Sequence, residues 1–206
     1  MTTTSADLAT EAYQQLASAL RGDLIGPVDS RYDEARSVYN GMIDKRPAAI
    51  ARCQDVADVI ACVRFAREHG VAIAVRGGGH SAAGLGVWDD ALVIDLSRLR
   101  STTVSPGDHT VRADAGCTWG DVDHATVAFG MATPSGFLAS TGVAGLTLGG
   151  GIGYLTRRFG LTVDSLLAAD VVLADGTFVT ASATSRSPHT ATVSRSSCAT
   201  RSAGSW

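Results

Sequence analysis

Hydrophobic positions recur at steps of four from Leu8 through Ala12, Leu16 and Leu20 to Leu24. That spacing lines one face of an α-helix and predicts a helix over residues 7–24, stopped by Gly26-Pro27. The period then changes. Pro47-Ala48-Ala49-Ile50-Ala51 is a short apolar run with strand character, and Asp55 stands as a cap before a second helical stripe, Val56, Val59, Ile60, Val63 and Ala66, that Gly70 closes. Val71 to Val75 reads as a strand, so strand, helix and strand predict two parallel neighbours joined by a right-handed crossover. Leu92 to Leu96 is a further strand. Thr102 to Ser105 pairs with Thr110 to Ala113 across Pro106-Gly107-Asp108, and Leu166 to Leu173 pairs with Phe178 to Thr180 across Asp175-Gly176. Asp121 to Phe129 reads as a helix ended by Gly130. The pattern predicts an α+β chain: a small βαβ subdomain, then a larger mixed or antiparallel sheet with helices.

Two stretches carry no periodicity. The first, Arg76-Gly77-Gly78-Gly79-His80-Ser81-Ala82-Ala83-Gly84-Leu85-Gly86, follows a strand, and the second, Thr133 to Gly153, holds Gly136, Gly142, Gly145, Gly149, Gly150, Gly151 and Gly153. Glycine runs lose more chain entropy on folding than other residues, so three in a row suit a backbone with unusual dihedrals or close approach to another group. Successive N–H groups at such a bend form a concave nest for phosphate or pyrophosphate; a tight surface turn is the alternative. Gly77-Gly78-Gly79-His80-Ser81-Ala82 also fits the dinucleotide pattern G-x-G-x-x-A, with Asp95 at a later strand end. That pattern needs a helix to open at its third glycine; Gly84 and Gly86 interrupt such a helix, and the short stretch before Trp88-Asp89-Asp90 leaves no room for the crossover.

Composition narrows the chemistry. The 206 residues are 45% hydrophobic and 18% charged with a formal net charge of -3, enough for one large domain or two small ones sharing a core. No basic field exists for nucleic acid or an anionic membrane, so neither is expected as a partner. Lys45 is the sole lysine and follows no glycine run, which excludes a P-loop. The first residues lack the basic and apolar regions of a signal peptide, and a cytoplasmic location is expected. Cys53, Cys62, Cys117 and Cys198 have neither C-x-x-C spacing nor scaffold density and are expected reduced, Cys117 as a small buried residue. His109 and His124 lack partners at ligand spacing, so no metal site is expected. Asp121 and Asp123 read as charges that complement a helix start, and Tyr154 as a core or rim residue. After Thr184 the chain contains no Asp, Glu, Leu, Ile or Phe, and a disordered tail over 185–206, from a frameshift or a truncated gene, is expected.

The two loops and a third segment, Asp170-Val171-Val172-Leu173-Ala174-Asp175-Gly176, occur in an order and separation that closely resembles the FAD-linked oxidases of the berberine bridge enzyme type, which have the vanillyl-alcohol oxidase or para-cresol methylhydroxylase (PCMH) fold. The resemblance covers about Arg46 to Thr184. It implies residues 1–42 as a helical lead-in and residues 43–184 as an incomplete PCMH-type FAD-binding domain. It also implies Arg76, Gly77, Gly78, Gly79, His80 and Ser81 as a pyrophosphate loop, with His80 bonded covalently to the 8α-methyl carbon of the flavin. Thr141, Gly142, Gly145, Leu148, Gly149, Gly150, Gly151 and Gly153 would form the second FAD loop. Some members add a second bond through a cysteine eleven positions before the second glycine triplet; Leu138 stands there, which implies a single bond. The implied reaction is hydride transfer from an alcohol, amine or activated C–H carbon of a small-molecule substrate to flavin N5, with oxygen as acceptor. The family's substrate domain and catalytic base follow later in its chains, so this chain is expected to be inactive alone. A non-catalytic flavin-binding remnant and a dinucleotide-binding or structural module stay open as alternatives.

Overall fold

The apolar runs pair into two sheets in a computed structural model that describes residues 5–182 and 194–201. The N-terminal helix α1, Ser5–Ala19, is shorter than its apolar spacing predicts, because the chain leaves the helix to form strand β1, Asp23–Ile25. A short helix α2, Tyr32–Arg36, follows, then β2, Ala49–Arg52, helix α3, Val56–His69, β3, Ile73–Arg76, and β4, Leu92–Asp95. Helix α3 starts and stops as its sequence predicts. The Asp55 side chain accepts from the N–H groups of Ala57 and Asp58, and Gly70 ends the helix at φ +66, a left-handed conformation that costs glycine little.

The first sheet has the order β1-β2-β4-β3. β2 and β3 are parallel, as the βαβ pattern predicts, but they are not neighbours, since β4 pairs in parallel with both. The physical reason lies in Leu92, Val93 and Ile94, which are buried on both faces, whereas β3 has an exposed Ile73 and takes the edge. β1 pairs antiparallel with β2, and Tyr32 and Ala35 of α2 pack into the same core as Ile25, Ile50 and Val93. The segment expected as a helical lead-in over 1–42 therefore contributes a strand and core residues to the first sheet's packing. Asp58 ties these parts together: its carboxylate accepts from the N–H groups of Arg21, Gly22 and Gln54 at 2.8 to 3.0 Å.

The second half supplies β5, Thr102–Ser105, β6, Thr110–Asp114, helix α4, Trp119–Val127, two short helices α5, Val143–Leu148, and α6, Thr156–Phe159, and strands β7, Leu166–Val172, and β8, Phe178–Ser182. Both predicted hairpins form. A last strand, β9, Ser194–Arg201, lies between β6 and β7, giving an antiparallel sheet in the order β5-β6-β9-β7-β8. Disorder expected throughout 185–206 is thus corrected for 194–201. A composition poor in apolar residues cannot form a core, but it can still pair backbone groups with strands on both sides. The rest of that tail lies outside the described residues. Leu96, Leu99, Ala115, Ala144 and Val172 join the apolar core of α3 and β4, so the two sheets share one interior. Among the described residues no helix is long and apolar enough to cross a membrane. Cys53, Cys62 and Cys117 are buried free thiols.

Candidate cofactor site

β3 delivers its chain to the first glycine-rich loop at Arg76. The Arg76 guanidinium turns back into the protein, donating to the Asp95 carboxylate at 2.9 Å and to the Ala35 carbonyl at 2.6 Å. Both ion-pair partners are more than nine-tenths buried, and breaking such a pair strands a charge at a cost of roughly 3–5 kcal/mol. The family resemblance assigns Arg76 to the cofactor, but its charge is engaged in fixing the loop's base; it offers the site its backbone and stem. Asp95, held by Arg76 and lying 3.7 Å from Arg52, is likewise not free to bind a ribose, and residues 77–91 form no helix. The dinucleotide reading loses both of its requirements.

Beyond Arg76 the backbone N–H groups from Gly77 to Ser81 find no protein acceptor among the described residues. They line a cleft of about 440 Å³ whose opposite wall is Thr141, Gly142, Gly145 and Leu146, with Val75, Leu85 and Gly86 beside them. The two walls touch backbone to backbone. A Cβ on Gly78 would lie 2.3 Å from the Gly142 nitrogen, and one on Gly142 would lie 2.4 Å from the Gly78 nitrogen. Glycine is required at both positions because no side chain fits between the loops. At Gly145, by contrast, a Cβ would meet nothing within 4 Å, so this side of the cleft is open. Unpaired N–H donors with no carboxylate in the lining suit a pyrophosphate, and the bare glycine backbone admits it closely. His80 stands half-buried at the same cleft, its ring stacked on that of Tyr39 with centroids 4.0 Å apart and planes 16° apart.

The second wall is held by α4. The N–H groups of Trp119 and Gly120 donate to the Thr141 and Ala139 carbonyls at 2.9 and 2.8 Å, and the Val143 N–H donates to the Cys117 carbonyl at 2.9 Å. Asp121 closes a capping box with Thr118 and pairs with Arg100. Burial pushes the Asp121 carboxyl up, but the hydrogen bonds from Arg100 and Thr118 outweigh it and hold the group below its ordinary range. Of the predicted second-loop residues, Thr141, Gly142 and Gly145 reach the cleft. Leu148, Gly149, Gly150, Gly151 and Gly153 do not line it. Gly151 has φ +75 and its Cβ would lie 2.3 Å from the Thr162 hydroxyl, while a Cβ on Gly153 would lie 1.7 Å from the Ser135 carbonyl oxygen. These glycines fold the loop upon itself. Tyr154 is 81% exposed and meets the ring of Phe137 edge-on, so it is neither core nor part of this cleft. Val75, Leu85, Gly86 and Leu146 were missed in the sequence, although the repeated glycines at 84 and 86 mark the second and third of these. Tyr39 carries no sequence signal that ties it to His80.

A family model described as an FAD binding domain matches residues 47–182. The chain belongs to that FAD-binding family. It is 35% identical over 158 residues to (R)-6-hydroxynicotine oxidase of Paenarthrobacter nicotinovorans, covering 77% of this chain and 34% of that protein. It is 39% identical over 153 residues to xylooligosaccharide oxidase of Thermothelomyces thermophilus, covering 72% of this chain and 30% of that one. Among solved structures, BBE-like 1 of Physcomitrella patens superposes with a TM-score of 0.86 at 31% identity over 93% of this chain and 44% of that chain. The 6-hydroxy-D-nicotine oxidase of Arthrobacter nicotinovorans gives 0.84 at 30% identity, over 89% and 42%. The FAD domain thus has the PCMH or berberine bridge enzyme fold, its cofactor is FAD, and its relatives are FAD-linked oxidoreductases. The chain spans about a third of the length of the curated relatives it matches.

Proposed function

We propose that this FAD domain is the flavin-carrying part of an oxidase, with the pyrophosphate against the N–H groups of Gly77 to Ser81 and the flavin attached through His80 alone. The observation that supports it most is the convergence of two glycine loops, wedged together at Gly78 and Gly142, around unpaired donors and a histidine. A neutral imidazole nitrogen is a nucleophile near pH 7, which suits attachment to carbon. Leu138, half-exposed, offers no nucleophile for a second bond. Bound FAD supplies a two-electron acceptor for a hydride from an alcohol, amine or activated C–H carbon of a small molecule, with dioxygen taking the electrons afterwards. The protein's own part is to bind, orient and cover it.

Among the described residues the charged or titratable side chains lining the cleft are Arg76, engaged by Asp95, and His80, taken up by the flavin bond, so none is left to take a substrate proton. On this reading the 206-residue chain holds flavin without turning over, and substrate choice belongs to parts of the relatives that it does not match. Purified chain should be yellow and keep its colour through acid precipitation, while His80→Ala should release the flavin to the supernatant. It should show no peroxide release with alcohols, sugars or amines. Flavin freely extracted from the unmutated chain would overturn the covalent assignment, and steady peroxide release proportional to protein would overturn the inactivity.

A further inference from the structure

We infer that Tyr39 is a positioning residue for His80, and that the segment from Ser37 to Ile43 is a strap that holds the imidazole toward the cleft for flavin attachment. The inference rests on the reading of His80 as the anchor. Its basis is a set of contacts remote in sequence. The Tyr39 N–H donates to the Gly79 carbonyl at 3.1 Å, one residue before His80, and the Asn40 side chain donates to the Ala82 carbonyl at 3.0 Å, two residues after it. The Met42 N–H donates to the Asn40 side-chain oxygen at 3.1 Å, which fixes that side chain. Ile43 packs so closely on Gly84 that a Cβ there would lie 2.8 Å from it. At the strap's start, Arg76 binds the Ala35 carbonyl and reaches the Ser37 carbonyl at 3.4 Å. The buried ion pair that anchors the loop's base therefore also anchors the strap.

The consequence falls on the imidazole. Among the described residues no hydrogen bond holds either nitrogen of His80; its ring is fixed by the stack on Tyr39, at 4.0 Å and 16°. A stack restrains the ring plane and leaves both nitrogens free, which is what a ring that must attack carbon requires. In the attachment, one N–C bond forms as the imidazole loses its N–H proton and the flavin methyl loses one hydrogen. The two protons and two electrons released pass to dioxygen, which leaves as hydrogen peroxide. Tyr39 takes no part in that bond making. It is 66% exposed, so replacing it disturbs little of the core.

The test compares Tyr39→Ala, Tyr39→Leu and Tyr39→Phe in the full chain. The rate of covalent incorporation is followed at saturating FAD on denaturing gels by flavin fluorescence, and the His80 ring signals are followed by NMR in flavin-free protein, assigned with His80→Ala. The alanine and leucine variants should incorporate flavin roughly tenfold or more slowly, bind extractable FAD about as well as the parent, and lose the ring-current shift of His80. The phenylalanine variant, which restores the stack, should recover rate and shift. Incorporation at the parental rate in both alanine and leucine variants, or failure of phenylalanine to rescue, would overturn the positioning role. Parent protein that binds FAD and shows the shifted His80 signals but never forms the bond would overturn the anchor reading, and this inference with it.

Discussion

The two glycine triplets of this chain look alike in sequence and do different things in space. Gly77-Gly78-Gly79 lines the cleft and presses against the opposite wall, whereas Gly149-Gly150-Gly151 lies outside it and lets its loop turn against Thr162 and Leu161. A glycine run records that the backbone needs room, and only the fold says whether the room is for a ligand or for the protein itself. In the second loop the glycines that line the cleft are Gly142 and Gly145, which precede the triplet.

The largest effect should come from Gly78→Ala, whose methyl group would meet the Gly142 backbone at 2.3 Å. Forcing the loops apart should cost roughly 1–3 kcal/mol of stability and weaken FAD by about tenfold to a hundredfold, the two readable by denaturant unfolding and flavin-fluorescence titration. Gly151→Ala should cost a similar roughly 1–3 kcal/mol, because it combines a positive φ with a 2.3 Å approach to Thr162. The folded fraction should nevertheless bind FAD about as well as the parent. An affinity loss equal to that of Gly78→Ala would return the triplet to the site and erase the contrast. Gly145→Ala should do the reverse. Placed inside α5 with nothing within 4 Å, the new methyl should leave the flavin-free chain as stable or up to about 1 kcal/mol more so, while lowering FAD affinity.

The smallest effect concerns what holds the second wall. The folded-state pKa of Asp121 is lowered, so its contribution is complete above the ordinary carboxylate range and disappears as pH falls through the lowered value. Asp121→Asn should remove about 1 kcal/mol near neutral pH, as loss of a cap does. The loss should shrink toward low pH, so the two proteins' Tm values converge in acid. A constant gap across that range would mean that the carboxylate charge contributes nothing to the cap.

Much of this was readable because it is local. Asp55 and Gly70 mark the ends of α3 through their own side chain and dihedral, and each hairpin carries its turn residues. What stayed hidden depends on partners distant in sequence. Leu92, Val93 and Ile94 form a continuous apolar run, yet nothing beside them says that β4 will sit between β2 and β3. The strand at 194–201 is polar in sequence, and its backbone pairs with β6 on one side and β7 on the other. In the site, His80 and the glycines were legible as a motif, but the role of Arg76 required seeing Asp95 and Ala35 beside it. The stack on His80 required Tyr39 to return across the loop from 41 residues earlier.

On the proposed reading, the cleft between the loops holds FAD and His80 is its one point of attachment. Tryptic peptide mapping of the purified, flavin-saturated chain tests this most directly, because cleavage after Arg76 and Arg98 isolates His80 from the chain's other histidines. A single modified peptide is expected, residues 77–98, heavier by one FAD less two hydrogens, with fragmentation placing the added mass on His80 and none remaining in His80→Ala. An adduct on any other peptide, or FAD bound to the chain with peptide 77–98 recovered wholly unmodified, would contradict it.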